Sequence, residues 1–383
     1  MIKKANWLFA AIILVALSSC SMSKNVAKIN VKNPTTLERS NEIVEVDWSK
    51  VSKKLSLNQG NNIQVTDSEG KAITHQLVTN GNDSPETLIF PVNLNSKEKK
   101  TYYVVVTGRT REYDPLVYGR LVPERQDDFA WENNRVAYRV YGPALQATGE
   151  ISNGLDIWVK RTENLVINKW YKDDLAGKAS YHADHGEGLD FYKVGPTLGL
   201  GMTAPVYNEK LCLGKNFTQA EVLDNGPLRI SFKLHYAPYS VGNNEVTETR
   251  IITLDAYNYL NKIEKIFESD NKELYLATGF VLSGKDEQIT YSDNYNGIIS
   301  YQVPTDKNNG TIFTGAINLM GYEKSELANN HFLGYNHFES GKKYTYYTGG
   351  GWSKSGFDSF EDWNIYLIKE KEIIKNPLKV KVK

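Results

Sequence analysis

Runs in which apolar and polar residues alternate dominate the second half of the chain. In "RISFKLHY" one face carries Ile230, Phe232, Leu234 and Tyr236, and the other carries Arg229, Ser231, Lys233 and His235. In "NRVAYRVY" the set Val136, Tyr138 and Val140 likewise opposes Arg135, Ala137, Arg139 and Tyr141. Because successive side chains of a strand point to opposite faces, this period predicts strands with one apolar face and one face of cations and aromatics, in an antiparallel architecture. Such runs continue through "KKYTYYTG", which is more strand than a simple sandwich contains.

The predicted fold is mainly β and has two domains. Residues 25–108 contain shorter β-rich runs separated by turn signals such as "NQGNN" and "DSEGK", which predict a small N-terminal β-sandwich. Residues 109–383 are predicted to form a large antiparallel β-super-sandwich of the galactose-mutarotase-like kind. The stretch 107–128, which enters it, is rich in arginine and turn formers and is interpreted as a linker. One C-terminal helix is predicted in "DSFEDWNIYLIKEKEII", with Asp358 or Ser359 as its N-cap and its end before Pro377.

The N-terminus has the features of an exported lipoprotein. Two lysines precede an apolar run from Trp7 to Leu17, and the run is too short to span a bilayer. The sequence "LSSC" that follows matches a lipobox, so residues 1–20 are interpreted as a lipoprotein signal peptide and Cys20 as the lipidated residue. Membrane attachment is then expected through the lipid anchor alone. The sequence "SMSKN" lacks an acidic cluster, which favours the periplasmic side over the cell surface.

Composition excludes several classes of protein. Cys212 is the one thiol besides Cys20, so no intramolecular disulfide and no cysteine-based zinc site are expected in the mature chain. The chain has 45 basic and 45 acidic residues, which gives no reason to expect nucleic acid as a partner. Its 24 tyrosines and seven tryptophans suit sugar rings, but these residues also favour β-sheets, so they do not decide the function. The oligomeric state is left open.

A polar, glycine-broken stretch is the first candidate site. "YHADHGEGLDFY" brings His182 and His185 together with Asp184, Glu187 and Asp190 in a connection between β-rich regions. Histidine beside carboxylate is typical of acid–base catalysis, because the carboxylate sets the tautomer. A metal site formed by His182, His185 and a carboxylate is an alternative, although the expected metal content is none. A hydrogen-bonded structural loop is the third interpretation.

Four arginines form the second candidate group. Arg120, Arg125, Arg135 and Arg139 flank "DDFAWENNR", and the planar guanidinium binds carboxylate or sulfate through two parallel hydrogen bonds. This composition indicates an anionic substrate. The alternative is that Asp127, Asp128 and Glu132 pair with these arginines at the surface, where such pairs contribute little stability.

A third group lies late in the chain. His331 and His337 occur in "HFLGYNHFES", and Trp352 follows three consecutive glycines. Glycine lets a ligand or another backbone approach closely, or it makes a turn. Trp352 is therefore interpreted either as a platform for a sugar ring or as a buried plug.

Three longer phrases together carry a family resemblance. With "RQDDFAWENNRVAYRVYGPAL", "GLDIWVKRTENLVINKWY" and "YHADHGEGLDFYKVG", the sequence resembles a family of Bacteroidetes lipoproteins and secreted proteins from polysaccharide-utilisation loci that includes the ulvan oligosaccharide dehydratase. The resemblance covers nearly the whole mature chain. It implies removal of water from glucuronic or iduronic acid at the non-reducing end of an oligosaccharide, which leaves a 4,5-unsaturated uronate.

The residues suit this chemistry on their own terms. An arginine such as Arg139 or Arg125 is expected to neutralise the uronate carboxylate while the C5 proton is removed. A base must take that proton and an acid must protonate the departing O4 hydroxyl. His182 is the first choice for one role, and Tyr181, Tyr138 or His337 could fill the other. Substrate binding is expected from the set Arg120, Arg125, Arg135, Asp184, His185 and Trp352.

Three other functions are considered. A polysaccharide lyase would use the same proton abstraction but expel a sugar. A non-catalytic lipoprotein would bind an anionic glycan and leave it unchanged. A glycoside hydrolase would need two carboxylates across the scissile bond, for which Asp184, Glu187 and Asp190 are available.

Overall fold

The computed structural model describes residues 26–55, 57, 62–109, 111–284 and 287–383. The interpreted signal peptide, residues 1–20, and Cys20 lie outside these ranges. In the part of the chain that is described, no helix is long and apolar enough to cross a membrane.

The elements follow one another from strand to strand with four α-helices among the described residues. The first part contains β1 (Val26–Lys32), β2 (Arg39–Asp47), α1 (Trp48–Leu55), β3 (Asn62–Thr66), β4 (Ala72–Ile73), β5 (Gln76–Val78), β6 (Thr87–Leu94) and β7 (Lys99–Thr107). The second part contains β8 (Val117–Val122), a 3₁₀ turn (Pro123–Arg125), β9 (Asp128–Asn133), β10 (Val136–Val140), α2 (Pro143–Ala147), β11 (Asp156–Lys160), α3 (Ile167–Leu175) and β12 (Gly188–Leu189).

The remaining elements build the larger sheets. They begin with β13 (Leu200–Tyr207), β14 (Lys210–Leu211), β15 (Phe217–Asn225), β16 (Arg229–Tyr236), β17 (Tyr239–Val241), β18 (Asn244–Asp255) and β19 (Leu260–Ser269). They continue with β20 (Glu273–Val281), β21 (Ile289–Asp293), β22 (Ile298–Gln302), β23 (Ile312–Ile317), β24 (Lys324–Ala328), β25 (His331–Glu339), β26 (Lys343–Trp352), α4 (Phe360–Lys375) and β27 (Lys379–Val382).

Two small sheets form the N-terminal sandwich. One has the strand order β27-β1-β7-β3-β4 and the other β2-β6-β5, and both bury residues such as Ile29, Val46 and Phe90 in a shared core. The last strand of the chain pairs with the first, with Ile29 opposite Val382. The pairing shows that the end of the chain returns to the sheet in which it began. The division into domains 25–108 and 109–383 stays a prediction.

The large super-sandwich contains a long sheet and a shorter one. The long sheet has the order β15-β16-β18-β19-β26-β23-β22-β21, with β17 on β18, and the shorter one has the order β14-β13-β20-β25-β24. The predicted apolar face of β16 is buried, since Ile230, Phe232 and Leu234 are fully shielded in the main core. The mainly β architecture, a small sandwich followed by a large antiparallel super-sandwich, is therefore confirmed.

A third sheet, with the order β12-β11-β10-β9-β8, positions the candidate site. Its inner face carries Trp131, Tyr138 and Ile157 into the main core, as the alternation in "NRVAYRVY" predicts. Its outer face is also covered, because Ala137 and Trp158 pack beneath a layer that includes α3 and Tyr181. The strands of this sheet are thus buried on both sides.

The interpretation of 107–128 as a linker is wrong for its second half. Residues 117–122 form β8, which pairs with β9 so that Val117 lies opposite Asn133. Turn formers on either side of "VYGRLV" hid a short alternating strand whose buried positions are Val117, Gly119 and Val122. The helix α3 was also not predicted from the sequence.

Helix α3 begins on a buried carboxylate. Glu132, on the outer face of β9, accepts hydrogen bonds from the backbone N–H groups of Val166 and Ile167. The same carboxylate pairs with Lys160 of β11 at 2.7 Å, and both side chains are fully buried. A negative charge at a helix N-terminus is favourable, so this pair fixes where α3 docks on the sheet.

The predicted C-terminal helix is confirmed as α4. Ser359 is its N-cap, and its hydroxyl oxygen accepts a hydrogen bond from the N–H of Asp362 at 3.1 Å. Trp363 and Leu367 are fully buried against the long sheet, where the Trp363 indole donates to the carbonyl of Thr314.

Replacing Glu132 by Gln should destabilise the fold strongly. The substitution keeps the shape but leaves the Lys160 ammonium buried without its counter-charge, for which a loss of about 3–5 kcal/mol is expected. Glu163→Gln is the matched control, because Glu163 pairs with Arg135 at the surface and should contribute about 1 kcal/mol or less. Urea unfolding of the two variants measures the difference, and equal losses would contradict this account of the buried pair.

Candidate active site

Four charged side chains form a buried group on the outer face of the third sheet, here called the Arg139 cluster: Asp128, Arg139, Asp156 and Asp190. Arg139 donates to Oδ2 of Asp156 through Nε at 2.9 Å and Nη2 at 2.6 Å, and to Oδ2 of Asp190 through Nη2 at 2.9 Å. Its Nη1 lies 3.9 Å from Oδ2 of Asp128. The four residues are at most 4% exposed. Three carboxylates therefore surround one guanidinium in a desolvated site.

Burial changes the proton affinity of the carboxylates. Desolvation raises the pKa of Asp128 to about 7, against the opposing effect of Arg139. Neither carboxylate oxygen of Asp128 accepts a hydrogen bond of normal geometry from the part of the chain that the structure describes, and the N–H of Gly142 supplies a weaker interaction that lowers the pKa of Asp128. Desolvation and the charge of Asp156 also raise the pKa of Asp190, while Arg139 opposes the change. Burial therefore favours the protonated forms of both Asp128 and Asp190.

Tyr181 lies between two guanidinium groups. Its hydroxyl oxygen accepts from Arg125 Nε at 3.4 Å and from Arg139 Nη1 at 3.3 Å. The ring is stacked on Trp158, with 4.8 Å between the centroids. The residue is 4% exposed. Since the phenol oxygen already accepts twice, its O–H is the group that is left to donate.

His182 sits beside Tyr181 at the surface of the cluster. The two ring centroids are 4.4 Å apart, and the His182 side chain is 58% exposed. Its Nδ1 lies 3.0 Å from the carbonyl oxygen of Asp190, which can only accept, so Nδ1 carries the proton and donates. The lone pair of Nε2 is then free for a proton from a bound molecule.

The two arginines expected to neutralise the uronate carboxylate, Arg139 and Arg125, differ in how far protein groups occupy them. The Arg139 guanidinium is held by Asp156 and Asp190, so it is not free to fork a substrate carboxylate. Arg125 is half-buried and donates through Nε to Tyr181 and through Nη1 to Gln126. Among the described residues no hydrogen bond from Arg125 Nη2 is found, which leaves this nitrogen for a ligand.

The other two arginines are engaged at the surface. Arg120 pairs with Glu124 and also donates to Asn168 at 2.7 Å. Arg135 pairs with Glu163 at 3.1 Å. The alternative of surface ion pairs therefore applies to both, although their partners differ from the expected Asp127, Asp128 and Glu132.

The remaining residues of the loop also have protein partners. Asp184 pairs with Arg161 and accepts from the N–H of Gly186, and His185 contacts the carbonyl of Ser180 through Nε2 at 3.1 Å. Glu187 pairs with Lys169 at 2.9 Å. With Asp190 in the Arg139 cluster, all three carboxylates considered for hydrolysis are bonded to cations.

No metal centre emerges in the described ranges, where no group of three or more histidine, cysteine or acidic side chains could hold a metal ion. The alternative of a metal bound by His182, His185 and a carboxylate gains no support. The expectation that the protein needs no cofactor stays a prediction.

Trp352 is a plug rather than a platform. It is 2% exposed, and its indole N–H donates to the carbonyl of Asn309 at 2.7 Å. The Arg161 guanidinium lies over its ring at 4.8 Å, and Arg161 in turn pairs with Asp184. Trp352 thus offers no free face to a sugar but ties the loop that carries His182 to the end of β26.

The second proton-transfer candidates outside the loop lie elsewhere. His337 is on β25, where Nδ1 contacts Glu323 at 2.9 Å and the ring packs on Tyr275. Tyr138 points into the main core, and its hydroxyl bonds the carbonyl of Tyr259. His331 is buried and accepts from the N–H of Leu198. The structure therefore brings Tyr181 and His182 together with Arg125 and Arg139. His337, Tyr138 and His331 lie apart from this group.

Comparison with known proteins identifies the family. A family described as "Domain of unknown function (DUF4861)" matches residues 31–380. The chain belongs to this family. It is 30% identical over 385 residues to "Uncharacterized protein P7" of the Bacteroidetes bacterium Formosa agariphila, covering 95% of this chain and 96% of that protein.

A solved structure confirms the fold type at large evolutionary distance. The crystal structure of a protein in the glycosyl hydrolase family 38 from Enterococcus faecalis superposes with a TM-score of 0.53 at 11% identity. The match covers 94% of this chain and 48% of that one, so this chain spans about half the length of that protein. At this identity the likeness concerns the fold alone.

Sequence reasoning named Asp128, Arg139 and Asp190 but missed Asp156, and it also missed Trp158, which packs beside them. Asp156 and Trp158 lie in "GLDIWVK", where alternation alone puts them on one face of a strand. If β10 and β11 had been recognised as an antiparallel pair, that face would have matched the one with Arg139, since Arg139 lies opposite Asp156. The alternation in "GLDIWVK" was visible in the sequence, but only the pairing register shows that this face lies beside Arg139.

Asp128→Asn should make stability less dependent on pH. A carboxyl whose pKa is raised in the folded state contributes most below its unfolded pKa, and the contribution is lost as the pH rises through about 7. The full shift corresponds to about 4 kcal/mol at most. Asn does not titrate, so the variant should gain on the wild type between pH 5 and pH 8 in urea unfolding. Asp83→Asn, on an exposed turn, should show no such gain. A constant difference at both pH values would contradict the raised pKa of Asp128.

Proposed function

We propose that the protein is an oligosaccharide dehydratase that removes water from a glucuronic or iduronic acid at the non-reducing end of ulvan-type oligosaccharides. The product would be a 4,5-unsaturated uronate. Two supports lead to this function: the sequence resemblance and the chemistry available around Tyr181 and His182. In enzyme classes it is a carbon–oxygen lyase, specifically a hydro-lyase.

The observation that carries the proposal is the adjacency of an exposed histidine and a guanidinium-bound tyrosine. Their rings are 4.4 Å apart, and the tyrosine hydroxyl is reached by Arg125, which has a nitrogen left for a ligand. Elimination needs a base, an acid and a cation for the carboxylate within one sugar ring of each other. His182, Tyr181 and Arg125 fit these three roles.

In the sugar, the proposed reaction breaks the C5–H and C4–O4 bonds and makes the second bond between C4 and C5. Arg125 binds the uronate carboxylate and stabilises the negative charge that spreads into it as the C5–H bond breaks. Nε2 of His182 takes the C5 proton, and the electron pair forms the C4=C5 double bond. The C4–O4 bond breaks as the hydroxyl of Tyr181 gives its proton to O4, so that water leaves. Transfer of the proton from His182 back to the Tyr181 oxygen restores the enzyme.

Arg139 supports this scheme from beneath. Its Nη1 donates to the Tyr181 oxygen at 3.3 Å, so it stabilises the phenolate that remains after proton transfer. The pairing with Asp156 and Asp190 keeps the guanidinium in place without presenting it to the substrate. Arg139 therefore acts through Tyr181.

The cellular setting is part of the same proposal. Export as a lipoprotein anchored through Cys20, with the periplasmic side preferred, would place the enzyme where oligosaccharides arrive from an extracellular polysaccharide. The expected partner is an anionic, uronate-containing oligosaccharide, within a polysaccharide-utilisation system.

The direct test uses protein without residues 1–20 and oligosaccharides that end in a saturated uronate. Ultraviolet absorbance and product mass are followed together. Rising absorbance with the loss of one water per oligomer and no change in chain length supports dehydration. Rising absorbance with shortened chains would replace it by a polysaccharide lyase, and bound but unchanged sugar would replace it by a binding protein.

His182→Gln and Tyr181→Phe should each lower the rate of double-bond formation by about 100- to 10,000-fold, since each removes a proton-transfer group. His337→Gln is the matched control, because this equally exposed histidine lies on β25 beside Glu323. Its rate should equal that of the wild type. A reversed result, with His337→Gln inactive and His182→Gln active, would move the active site to β25.

A further inference from the structure

Asp190 touches both residues to which proton transfer is assigned. Its backbone N–H donates to the carbonyl of Tyr181 at 2.8 Å, and its own carbonyl accepts from His182 Nδ1 at 3.0 Å. One residue thus contacts Tyr181 and His182 through its main chain, across a loop of eight residues. Any movement of Asp190 must change the position of both.

The side chain of Asp190 anchors that main chain to the rigid sheet. Its Oδ2 accepts from Arg139 Nη2 at 2.9 Å, and Arg139 is fixed on β10 by Asp156 of β11. The carboxylate is 1% exposed, so water does not compete for this bond. The same oxygen lies 3.6 Å from His182 Nδ1 and faces the nitrogen that carries the proton.

Burying the Asp190 carboxyl in this arrangement lowers the stability of the folded protein. Oδ1 of Asp190 is buried and has no hydrogen-bond partner among the described residues, and leaving such a group unpaired is unfavourable. A residue without a carboxylate has the same main-chain groups, but nothing would hold them in place on Arg139. The carboxylate is explained if its bond to Arg139 and its position near Nδ1 serve the geometry of His182.

We infer that Asp190 is a positioning residue, which holds His182 in the tautomer with a free Nε2 and fixes Tyr181 beside it. The inference rests on the proposed function for its kinetic consequence, but the tautomer itself is a property of the substrate-free protein. Asp190 acts through its neighbours and does not contact the substrate. The logic is that of an acid residue that orients a catalytic histidine from behind.

Two substitutions separate the contributions of the side chain. Asp190→Asn keeps an oxygen that can accept from Arg139, whereas Asp190→Ala removes the anchor altogether. We expect kcat to fall about 100-fold in Asp190→Ala, as for a misplacement of about 1 Å, with KM nearly unchanged. Asp190→Asn should retain an intermediate rate. Glu187→Gln is the matched control from the same loop, because its partners are Lys169 and Trp170, and it should leave both constants unchanged.

The second readout does not depend on activity. In protein labelled with ¹⁵N-histidine, the ring of His182, assigned through His182→Gln, should report a single Nδ1–H tautomer in the wild type and in Glu187→Gln. In folded Asp190→Ala it should report a mixture of tautomers. An unchanged tautomer together with an unchanged kcat overturns the inference, as does a variant that loses rate only in proportion to its unfolded fraction.

The two proposals fail in different ways. If the wild type forms no unsaturated uronate but the Asp190→Ala tautomer changes as expected, the positioning role stands and the dehydratase assignment falls. If dehydration occurs and the tautomer is the same in all variants, the dehydratase assignment stands and the role of Asp190 falls. Should Asp190→Ala not fold, the Asp190→Asn variant gives the same comparison with a smaller expected effect.

Discussion

The hydrogen bonds between Arg139 and the carboxylates of Asp156 and Asp190 are the interaction on which the candidate site depends. They join β10, β11 and the loop that carries Tyr181 and His182. The guanidinium also lies over the rings of Tyr141 and Trp158, at 5.1 and 5.2 Å. A buried ion pair of this kind contributes little net stability, because desolvation offsets the attraction. Its value lies in specifying one arrangement of the loop on the sheet.

That arrangement requires a sheet whose two faces are both covered. The inner face of the third sheet carries large apolar residues into the main core, while its outer face carries charged pairs and Trp158 beneath α3. The pair of Glu132 and Lys160 fixes the start of α3 on the sheet, as the Arg139 pairs fix the loop. Charges that would be costly alone are paired, so the outer layer docks in a single register. Reactive groups at its edge, chiefly His182, then stand on a rigid base.

Much of the fold could be predicted, because it depends on the alternation of apolar and polar residues and on the turn and cap residues between the elements. The apolar face of β16, the opposed faces of β10 and the cap of α4 at Ser359 follow from local pattern, and the structure agrees with each. The segment around β8 was wrongly interpreted as a linker, because a short strand between turn formers has a weak pattern of alternation. Helix α3 was not predicted, because its start is capped by Glu132, which is 34 residues before Val166 in the sequence.

Within the site, the sequence by itself determined which chemical groups were available: a histidine-rich loop, several arginines and a tyrosine beside His182. Only the tertiary structure decided which of them meet. Strand register placed Asp156 opposite Arg139 and so occupied one of the two arginines expected to bind the uronate carboxylate, whereas Arg125 keeps a nitrogen without a hydrogen bond to any described residue. In the folded chain His337 contacts Glu323, and the Trp352 indole donates to the carbonyl of Asn309. The physical reason is that partners in a sheet are distant in sequence, and a shift of one residue exchanges its two faces.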